Sequence, residues 1–495
     1  MKLKALLLVF FVVAPMGMAG ETAAQAENQA AIEAFLQERM ESLDIPGAAL
    51  TIVRGDEIVH LDGYGVANGA GEPMTPQTPF LLASFSKSMT AVAITQLVEA
   101  GEIALDNPIQ QYLPWFMPDR PITIRQLLHQ TSGLDEGQGY QRNLDPDGPN
   151  ALEESVRKLA TADLNHPPGA TFEYSNSNYD VLGLLVEKVS GQPYGEYMAA
   201  NLFEPLGMTN TYTSLETAQA NGMSSPFYPF FGRPTDVEAI LPYSRATQPS
   251  AGIIGSAEDM AHYLIMHLQD GRFGEAQIVR PASMNSMHTP GVDLNDTGLG
   301  YAMGWAVWPF DEAAEPGSPA PIALSHGGDS LGFNHIMLIV PESKLGLVLL
   351  LNTNNPTINS AFKNIAFDIA LLALGQEMQN YPLEEDWLTQ NLRTLGIGLI
   401  LVLLVLEWIA LRRLRGGEFG RRAGWLFAGL AIMDLALAGY ALFIRLPNIE
   451  SSVLQEVRYN PDLGLILVVV LLLTLGWGSL RSLWAWRRWR ASSEG

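Results

Sequence analysis

Cysteine is absent from this chain of 495 residues, and lysine is scarce, with seven residues against 22 arginines. The absence of cysteine excludes a disulfide framework. The eight histidines are scattered and form no H-E-x-x-H pair, and no glycine-rich phosphate-binding motif is present. We therefore expect neither a metal site nor a cofactor.

Positive charge is also scarce: 29 Lys and Arg stand against 52 Asp and Glu, a net charge of −23. An acidic protein of this kind is soluble and repels polyanions, so we expect no nucleic-acid partner. Long apolar runs are confined to the two ends of the chain, which leaves about 350 residues between them. A domain of that size buries a sufficient core without disulfides.

One of the seven lysines lies in the segment Ser84-Phe85-Ser86-Lys87, at the start of a predicted helix. Positions i and i+3 share a helix face, so Lys87 can reach the Ser84 hydroxyl. A serine hydroxyl becomes a good nucleophile when an adjacent base takes its proton. Lysine can serve as that base when burial or a second cation lowers its pKa. The alternative is that Ser84 only caps the helix.

Two further motifs follow in order. Tyr174-Ser175-Asn176 comes after a proline-rich turn and precedes a helical pattern, and it offers a phenol and an amide. His326-Gly327-Gly328 precedes a strand-like run, where paired glycines let a ligand approach closely. We expect the histidine to present a donor beside the cleft, cationic below about pH 6.5. Each motif alone is equally consistent with an ordinary turn.

Together the three motifs resemble the penicillin-recognising serine hydrolases, in the branch that holds class C β-lactamases, D-aminopeptidases, D-Ala-D-Ala carboxypeptidase-like proteins and esterases. The likeness covers about residues 28 to 375. It includes three further stretches: Ile122–Leu134, Glu204–Met208 with Thr211, and Ala251–Ser256.

The resemblance implies an acyl-transfer site. Ser84 would attack a carbonyl, Lys87 and Tyr174 would relay its proton, and Asn176, His326, Gly327 and Gly328 would bind substrate. The backbone N–H groups of Ser84 and Asp329 would form the oxyanion hole. His326 departs from the pattern, because β-lactamases and most penicillin-binding enzymes have lysine there. This counts against efficient β-lactam hydrolysis and is more typical of peptidases and esterases.

A second serine motif, Gly328-Asp329-Ser330-Leu331-Gly332, satisfies G-x-S-x-G. A nucleophile elbow of that type needs a helix after it, and here a strand is predicted, so we reject Ser330. The predicted fold is α/β (α+β): an antiparallel sheet flanked by helices, plus a helical subdomain. Strands are expected at 48–53, 58–64, 334–340 and 345–351, helices at 27–43 and 359–374, and an aromatic loop at 226–232.

The ends of the chain predict export and membrane attachment. Residues 1–26 are typical of a secretory signal peptide. Residues 27–380 form the hydrolase domain, 381–394 a linker, and 395–495 a membrane domain with apolar spans at 395–411, 423–444 and 463–480. Arginines after the first and third spans indicate a bacterial cytoplasmic membrane protein whose catalytic domain is periplasmic.

The sequence therefore predicts a membrane-anchored extracytoplasmic serine hydrolase that forms an acyl-enzyme. Its partners would be the lipid bilayer and a small peptide or ester substrate: D-amino-acid peptides, peptidoglycan stem peptides or small esters. Two alternatives are a penicillin-binding receptor with slow deacylation and a non-catalytic scaffold. The natural substrate and the oligomeric state cannot be derived from the sequence.

Overall fold

The computed structural model describes residues 16–117, 119–135, 148–241, 243–294, 298–310, 319–355, 359–380 and 387–415, together with 462, 464–466, 468–470 and 472–473. Its helices are α1 (Met16–Ser42), α2 (Ser86–Glu99), α3 (Ile124–Leu128), α4 (Ala151–Leu159), α5 (Asn176–Ser190), α6 (Tyr194–Met198), α7 (Glu204–Leu206), α8 (Leu215–Ala220), α9 (Ala257–Leu268), α10 (Pro281–His288), α11 (Asn359–Ala373) and α12 (Trp387–Arg415).

The strands form one large antiparallel sheet and three short pairs. They are β1 (Gly47–Arg54), β2 (Glu57–Gly65), β3 (Phe80–Leu81), β4 (Phe227–Phe230), β5 (Arg233–Asp236), β6 (Ile254–Gly255), β7 (Arg272–Phe273), β8 (Ala276–Gln277), β9 (Val292–Asp293), β10 (Gly300–Tyr301), β11 (Ala306–Pro309), β12 (Ile322–Ser330), β13 (Phe333–Val340) and β14 (Leu345–Leu351). The large sheet has the order β2-β1-β14-β13-β12-β11-β10-β9, and β3 pairs with β6, β4 with β5 and β7 with β8.

The central strands are apolar on both faces because both faces are covered. Successive side chains of a strand point to opposite faces. In β14, Leu347 and Leu349 join a core with α1 and α11, whereas Val348 and Leu350 join a larger core with α2, α5 and α9. The larger core therefore holds the sheet against the helical part of the molecule, and the catalytic candidates lie at that junction.

The predicted α/β (α+β) architecture, an antiparallel sheet with flanking helices, is confirmed. Strands β1, β2, β13 and β14 and helix α11 fall within two residues of the expected bounds, and α1 begins earlier than expected, at Met16. The aromatic segment at 226–232 differs from the expected loop, because residues 227–236 form the β4–β5 hairpin.

The two ends of the chain are only partly described. Residues 1–15 of the predicted signal peptide and all of the apolar stretch 423–444 lie outside the described residues, as does much of 463–480. The predicted span 395–411 lies within α12, which begins at Trp387, inside the segment expected to be a linker. Among the described residues, no helix combines the length and apolarity needed to cross a membrane, so the expected three-helix anchor gains no support from the fold.

Candidate active site

Ser84 lies in a tight turn between β3 and α2. Residues 83–85 form a short 3₁₀ turn, and Ala83 has a φ of +48°, a left-handed conformation that is rare for residues other than glycine. The turn is held from inside by Ser86, whose Oγ donates to the Ala83 carbonyl at 2.7 Å and accepts from the Ile253 N–H at 3.0 Å. Neither this turn nor α2 has a side-chain N-cap hydrogen bond, so Ser84 is not the capping residue of the simpler alternative.

Lys87, the second residue of α2, is fully buried. Its Nζ lies 3.1 Å from Ser84 Oγ, 2.6 Å from Asn176 Oδ1 and 2.8 Å from the Ser250 carbonyl oxygen. The two amide oxygens can only accept, so each takes one N–H of the lysine. The neutral amine keeps one lone pair, and Ser84 Oγ lies within hydrogen-bond distance of it. Lys87 is therefore placed to take the Ser84 proton.

Tyr174 approaches the same serine oxygen from the other side. It lies two residues before α5, and its hydroxyl is 3.0 Å from Ser84 Oγ. The Lys87 Nζ also lies 4.9 Å from the centre of the Tyr174 ring. Asn176, the first residue of α5, is the amide that contacts Lys87. The structure thus brings together Ser84, Lys87, Tyr174 and Asn176, an arrangement able to move a proton from the nucleophile toward a leaving group.

Ser250 is a member of this cluster that sequence reasoning missed. Its carbonyl reaches Lys87 because Pro249 packs against α5 at Gly183, where a Cβ would lie only 2.0 Å from the proline Cγ. The Pro249 carbonyl is fixed in turn by Thr90 Oγ1 on α2, which donates to it at 2.7 Å. Ser250 acts through its main chain, so its side chain gives no chemical signal. Its position directly before Ala251–Ser256 is the one available hint.

The glycines of the third motif allow a strand to pass close to the nucleophile turn. A Cβ at Gly328 would lie 2.6 Å from the Leu82 carbonyl oxygen, and one at Gly327 would lie 3.4 Å from Lys363 Nζ. Strand β11 pairs with β12 only as far as Ser325. Within the described residues, no strand pairs with that edge of β12 from 326 to 330, so a ligand can approach the strand there, although the Gly327 and Ser330 carbonyls already accept from His326 Nδ1 and Asn354 Nδ2.

Asp329 lies on this edge with its side chain held to one side. Asn334 Nδ2 donates to its Oδ1 at 2.8 Å, Asn359 Nδ2 donates to the same oxygen at 2.6 Å, and Lys363 Nζ lies 3.4 Å from Oδ2. These contacts fix the residue whose backbone N–H is the expected partner of the Ser84 N–H. Donors fixed before reaction are what an oxyanion hole requires.

His326 lies near the cluster, but it becomes cationic only at a lower pH than expected. Its ring lies 6.2 Å from that of Tyr174 and 6.4 Å from that of Tyr301, and the residue is 8% exposed. Burial, and secondarily the charge of Lys87, lowers the pKa of His326 to about 3. The imidazole is therefore neutral at physiological pH. Its Nδ1 lies 2.7 Å from the Gly327 carbonyl, which can only accept, so Nδ1 carries the proton and Nε2 is an acceptor.

His335 supports the nucleophile turn from β13 and was also missed. The Leu351 N–H donates to its Nδ1 at 3.2 Å, so the proton is on Nε2, which donates to the Leu81 carbonyl at 3.0 Å. Its ring packs edge-on against Phe80. By contrast, the rejected Ser330 ends β12 and is followed by β13, which agrees with the strand predicted after it.

Comparison with known proteins identifies the family of this chain. Residues 32–368 match the model of the β-lactamase family. The chain therefore belongs to the β-lactamase family of serine hydrolases.

The similar proteins include an esterase and a homologue of penicillin-binding proteins. Esterase EstB of Burkholderia gladioli is 30% identical over 66% of this chain and 91% of the esterase. Protein flp of Staphylococcus aureus is 28% identical over 66% of this chain, and the match spans 64% of the length of that protein. The octameric penicillin-binding protein homologue of Pyrococcus abyssi superimposes with a TM-score of 0.61 at 26% identity, over 71% of this chain and 78% of its own. EstCE1, a hydrolase with promiscuous acyltransferase activity, shares the fold with a TM-score of 0.58 at 24% identity, over 70% and 98% of the two chains.

Substitution of the two proton-handling side chains tests the cluster. We expect Lys87→Met and Tyr174→Phe each to lower ester turnover by about 10²- to 10⁴-fold, the usual contribution of general acid–base catalysis. Lys158→Met, a lysine outside the cluster, is the matched control and should retain wild-type rates. Steady-state hydrolysis with active-site titration measures the effect. Wild-type turnover in both cluster variants would exclude the proposed proton relay.

Buried histidines predict a loss of stability in acid. Burial lowers the pKa of His326 to about 3 and the pKa values of His335 and His288 to about 4. In the unfolded chain these groups titrate near 6.5, so between the two values the unfolded state binds more protons. Their stabilisation is therefore complete above about pH 6.5 and is lost as the pH falls toward 4 and then 3. Urea unfolding across this range should show the decline, with a shallower slope for His326→Gln. An equal slope in that variant would contradict the assignment of His326.

Proposed function

We propose that this chain is an extracytoplasmic serine hydrolase that cleaves ester or amide bonds through an acyl-enzyme at Ser84. The observation that carries the proposal is the convergence of a fully buried Lys87 and the Tyr174 hydroxyl on one serine oxygen, at 3.1 and 3.0 Å. In this mechanism Ser84 Oγ bonds to the substrate carbonyl carbon while its proton passes to Lys87. Tyr174 then gives its hydroxyl proton to the leaving group as the bond between that group and the carbonyl carbon breaks, and the proton held by Lys87 restores the phenol. Water later attacks the acyl carbon, which releases the acid and returns a proton to Ser84 Oγ.

The groups beside the cluster favour esters over β-lactams. A neutral His326 whose Nε2 accepts hydrogen bonds offers no positive charge to a substrate carboxylate. Substrates with an uncharged acyl group, or with a hydroxyl or N–H at that position, fit it better. The similarity to EstB supports the same choice, since that relative is an esterase. Small esters are therefore the first candidates, followed by D-amino-acid peptides and peptidoglycan stem peptides.

The two alternatives differ from this proposal in the fate of the acyl group. A penicillin-binding receptor would keep its adduct, because deacylation would be slow. A scaffold would form none, but a scaffold has no need of a buried lysine beside a reactive serine. Burying an amine is costly, and the close packing of Ser84, Lys87, Tyr174 and Asn176 therefore supports catalysis.

The purified full chain, assayed with p-nitrophenyl esters, D-alanyl peptides and a fluorescent penicillin, tests the proposal. We expect fast turnover of an ester, slow turnover of penicillin, and loss of both activity and covalent adduct in Ser84→Ala. In His326→Lys we expect the ratio of kcat/KM for a carboxylate-bearing ester to that for its neutral analogue to rise about tenfold, the gain of one charge-assisted contact.

Intact-mass spectrometry separates the alternatives in the same experiment. A lasting adduct without turnover would favour the receptor. The absence of both adduct and turnover on every substrate would favour the scaffold. An unchanged ratio in His326→Lys would mean that this residue does not face the substrate.

Attachment to the bacterial cytoplasmic membrane, with the hydrolase domain on its periplasmic side, is part of the same proposal. The apolar stretches and their flanking arginines support it. So does a contact between Arg393 and Asp462, which stand just before the stretches 395–411 and 463–480. With three spans, both positions would lie on the outer side, next to the hydrolase domain, and their contact agrees with that topology.

Protease treatment of spheroplasts that express the full chain with a C-terminal tag tests the location. We expect degradation of the hydrolase domain by external protease, protection of the tag, and recovery of the protein with membranes after carbonate washing. An intact hydrolase domain in unbroken spheroplasts would show that the domain is cytoplasmic. Release of the protein by carbonate would exclude a spanning anchor.

A further inference from the structure

A buried polar cluster joins the C-terminal segment to the hydrolase domain. Asp462 is fully buried and pairs with the Arg393 guanidinium of α12. Both side chains contact β4: Arg393 Nη2 donates to the Tyr228 hydroxyl at 3.3 Å, and that hydroxyl donates to Asp462 Oδ1 at 3.2 Å. Asp462 Oδ2 also accepts the backbone N–H of Phe231 at 3.2 Å. The Asp462 carboxylate therefore links the hairpin to α12.

The Phe231 N–H belongs to the strained tip of the β4–β5 hairpin. Phe231 and Gly232 connect the two strands with φ angles of +49° and +79°. Such a two-residue loop matches the twist of a hairpin but needs positive φ at both positions, which a bulky residue adopts only at a cost. A hydrogen bond from its N–H to a buried carboxylate stabilises that conformation. Asp462 therefore stabilises the residue of the hairpin turn whose backbone conformation is the least favourable, Phe231.

The hairpin packs in turn on the end of the strand that borders Ser84. Tyr228 and Val237 form a small apolar cluster with Leu331, in the turn after β12. A Cβ on Gly332 would lie 2.5 Å from Pro226 Cβ, so the segment that leads into β4 lies directly against this turn. The Leu331 position is two residues beyond Asp329, the expected oxyanion donor.

The C-terminal residues of this contact lie beyond the part of the chain that matches the family, which ends at residue 368. The segments that carry Arg393 and Asp462 also pack closely against each other. A Cβ on Gly396 would lie only 2.7 Å from Ile466 Cγ2. Small residues at such positions let two helices pack tightly. The segment is therefore fixed both internally and against the hydrolase domain.

We infer that the C-terminal segment is a positioning element of the hydrolase: Asp462, paired with Arg393, fixes the β4–β5 hairpin, and the hairpin fixes the end of β12 that carries Asp329. Its effect on catalysis rests on the proposed function. Asp462 touches neither Ser84 nor Lys87 and acts through the hairpin. Loosening it should weaken oxyanion stabilisation, which lowers kcat, while substrate binding and KM change little.

Two variants of the full chain test the contact itself. Asp462→Ala removes the carboxylate, and Arg393→Met/Asp462→Leu removes both charges while keeping the site filled, a replacement that buried ion pairs often tolerate. Arg233→Met, an exposed arginine on the same hairpin, is the control. We expect hydrogen–deuterium exchange of the peptide with residues 227–236 to accelerate about tenfold or more in both variants, because a hydrogen bond to a charged group is lost. Unchanged exchange in the double variant would overturn the contact.

Ester kinetics on the same proteins test the positioning role. We expect kcat per titrated active site to fall about tenfold in the double variant, with KM within about twofold, as for a displaced oxyanion donor. A merely structural defect would instead reduce the titratable fraction and leave kcat per site unchanged, which would overturn the proposal. If the wild-type chain turns over no ester, the proposed function fails. The exchange measurement then still decides whether the contact exists.

Discussion

The buried amine of Lys87 is the constraint on which the rest of the site depends. Removing an ammonium or amine from water is costly unless its hydrogen bonds are replaced. Here the replacements come from separate parts of the chain: the Ser84 hydroxyl beside α2, the Asn176 amide of α5 and the Ser250 carbonyl of the segment before β6. The amine is therefore satisfied only when all three are packed together, so correct folding of the helical part and assembly of the site are one event.

Close backbone approaches make that packing possible. Gly183 admits Pro249, Gly328 admits the Leu82 carbonyl, and Gly304 lies against α2, where a Cβ would be 2.6 Å from Ser88 Cα. Each contact brings a second element within reach of the turn that carries Ser84. These approaches are possible because glycine has no side chain. A methyl group at any of the three positions would have to displace main-chain atoms or the proline ring, which cannot move aside as the end of a flexible side chain can.

The sequence contained most of the fold and the reacting groups, because those depend on local pattern. Short continuous apolar runs predicted β1, β13 and β14, and the spacing of Ser84 and Lys87 predicted that both lie on one helix face. Three features could not be predicted in this way. Ser250 contributes a main-chain carbonyl, which any residue possesses. The pKa of His326 depends on burial and on the proximity of Lys87, and both are set by the tertiary structure. The contact of Asp462 with Phe231 joins residues more than 200 positions apart, with no motif at either end.

The functional groups of the site also lie on two different structural parts. The nucleophile and its proton-handling partners belong to the helical part, whereas His326 and the expected oxyanion donor Asp329 belong to β12 of the sheet. Proton transfer can tolerate little change within the first group, and that group is fixed by burial. Oxyanion stabilisation depends instead on how the end of β12 lies relative to α2, because a displacement of a fraction of an ångström weakens a preorganised donor. Contacts that do not touch substrate can therefore affect the chemistry, and the hairpin that packs on the turn after β12 acts together with the contacts that Asn334, Asn359 and Lys363 make with Asp329.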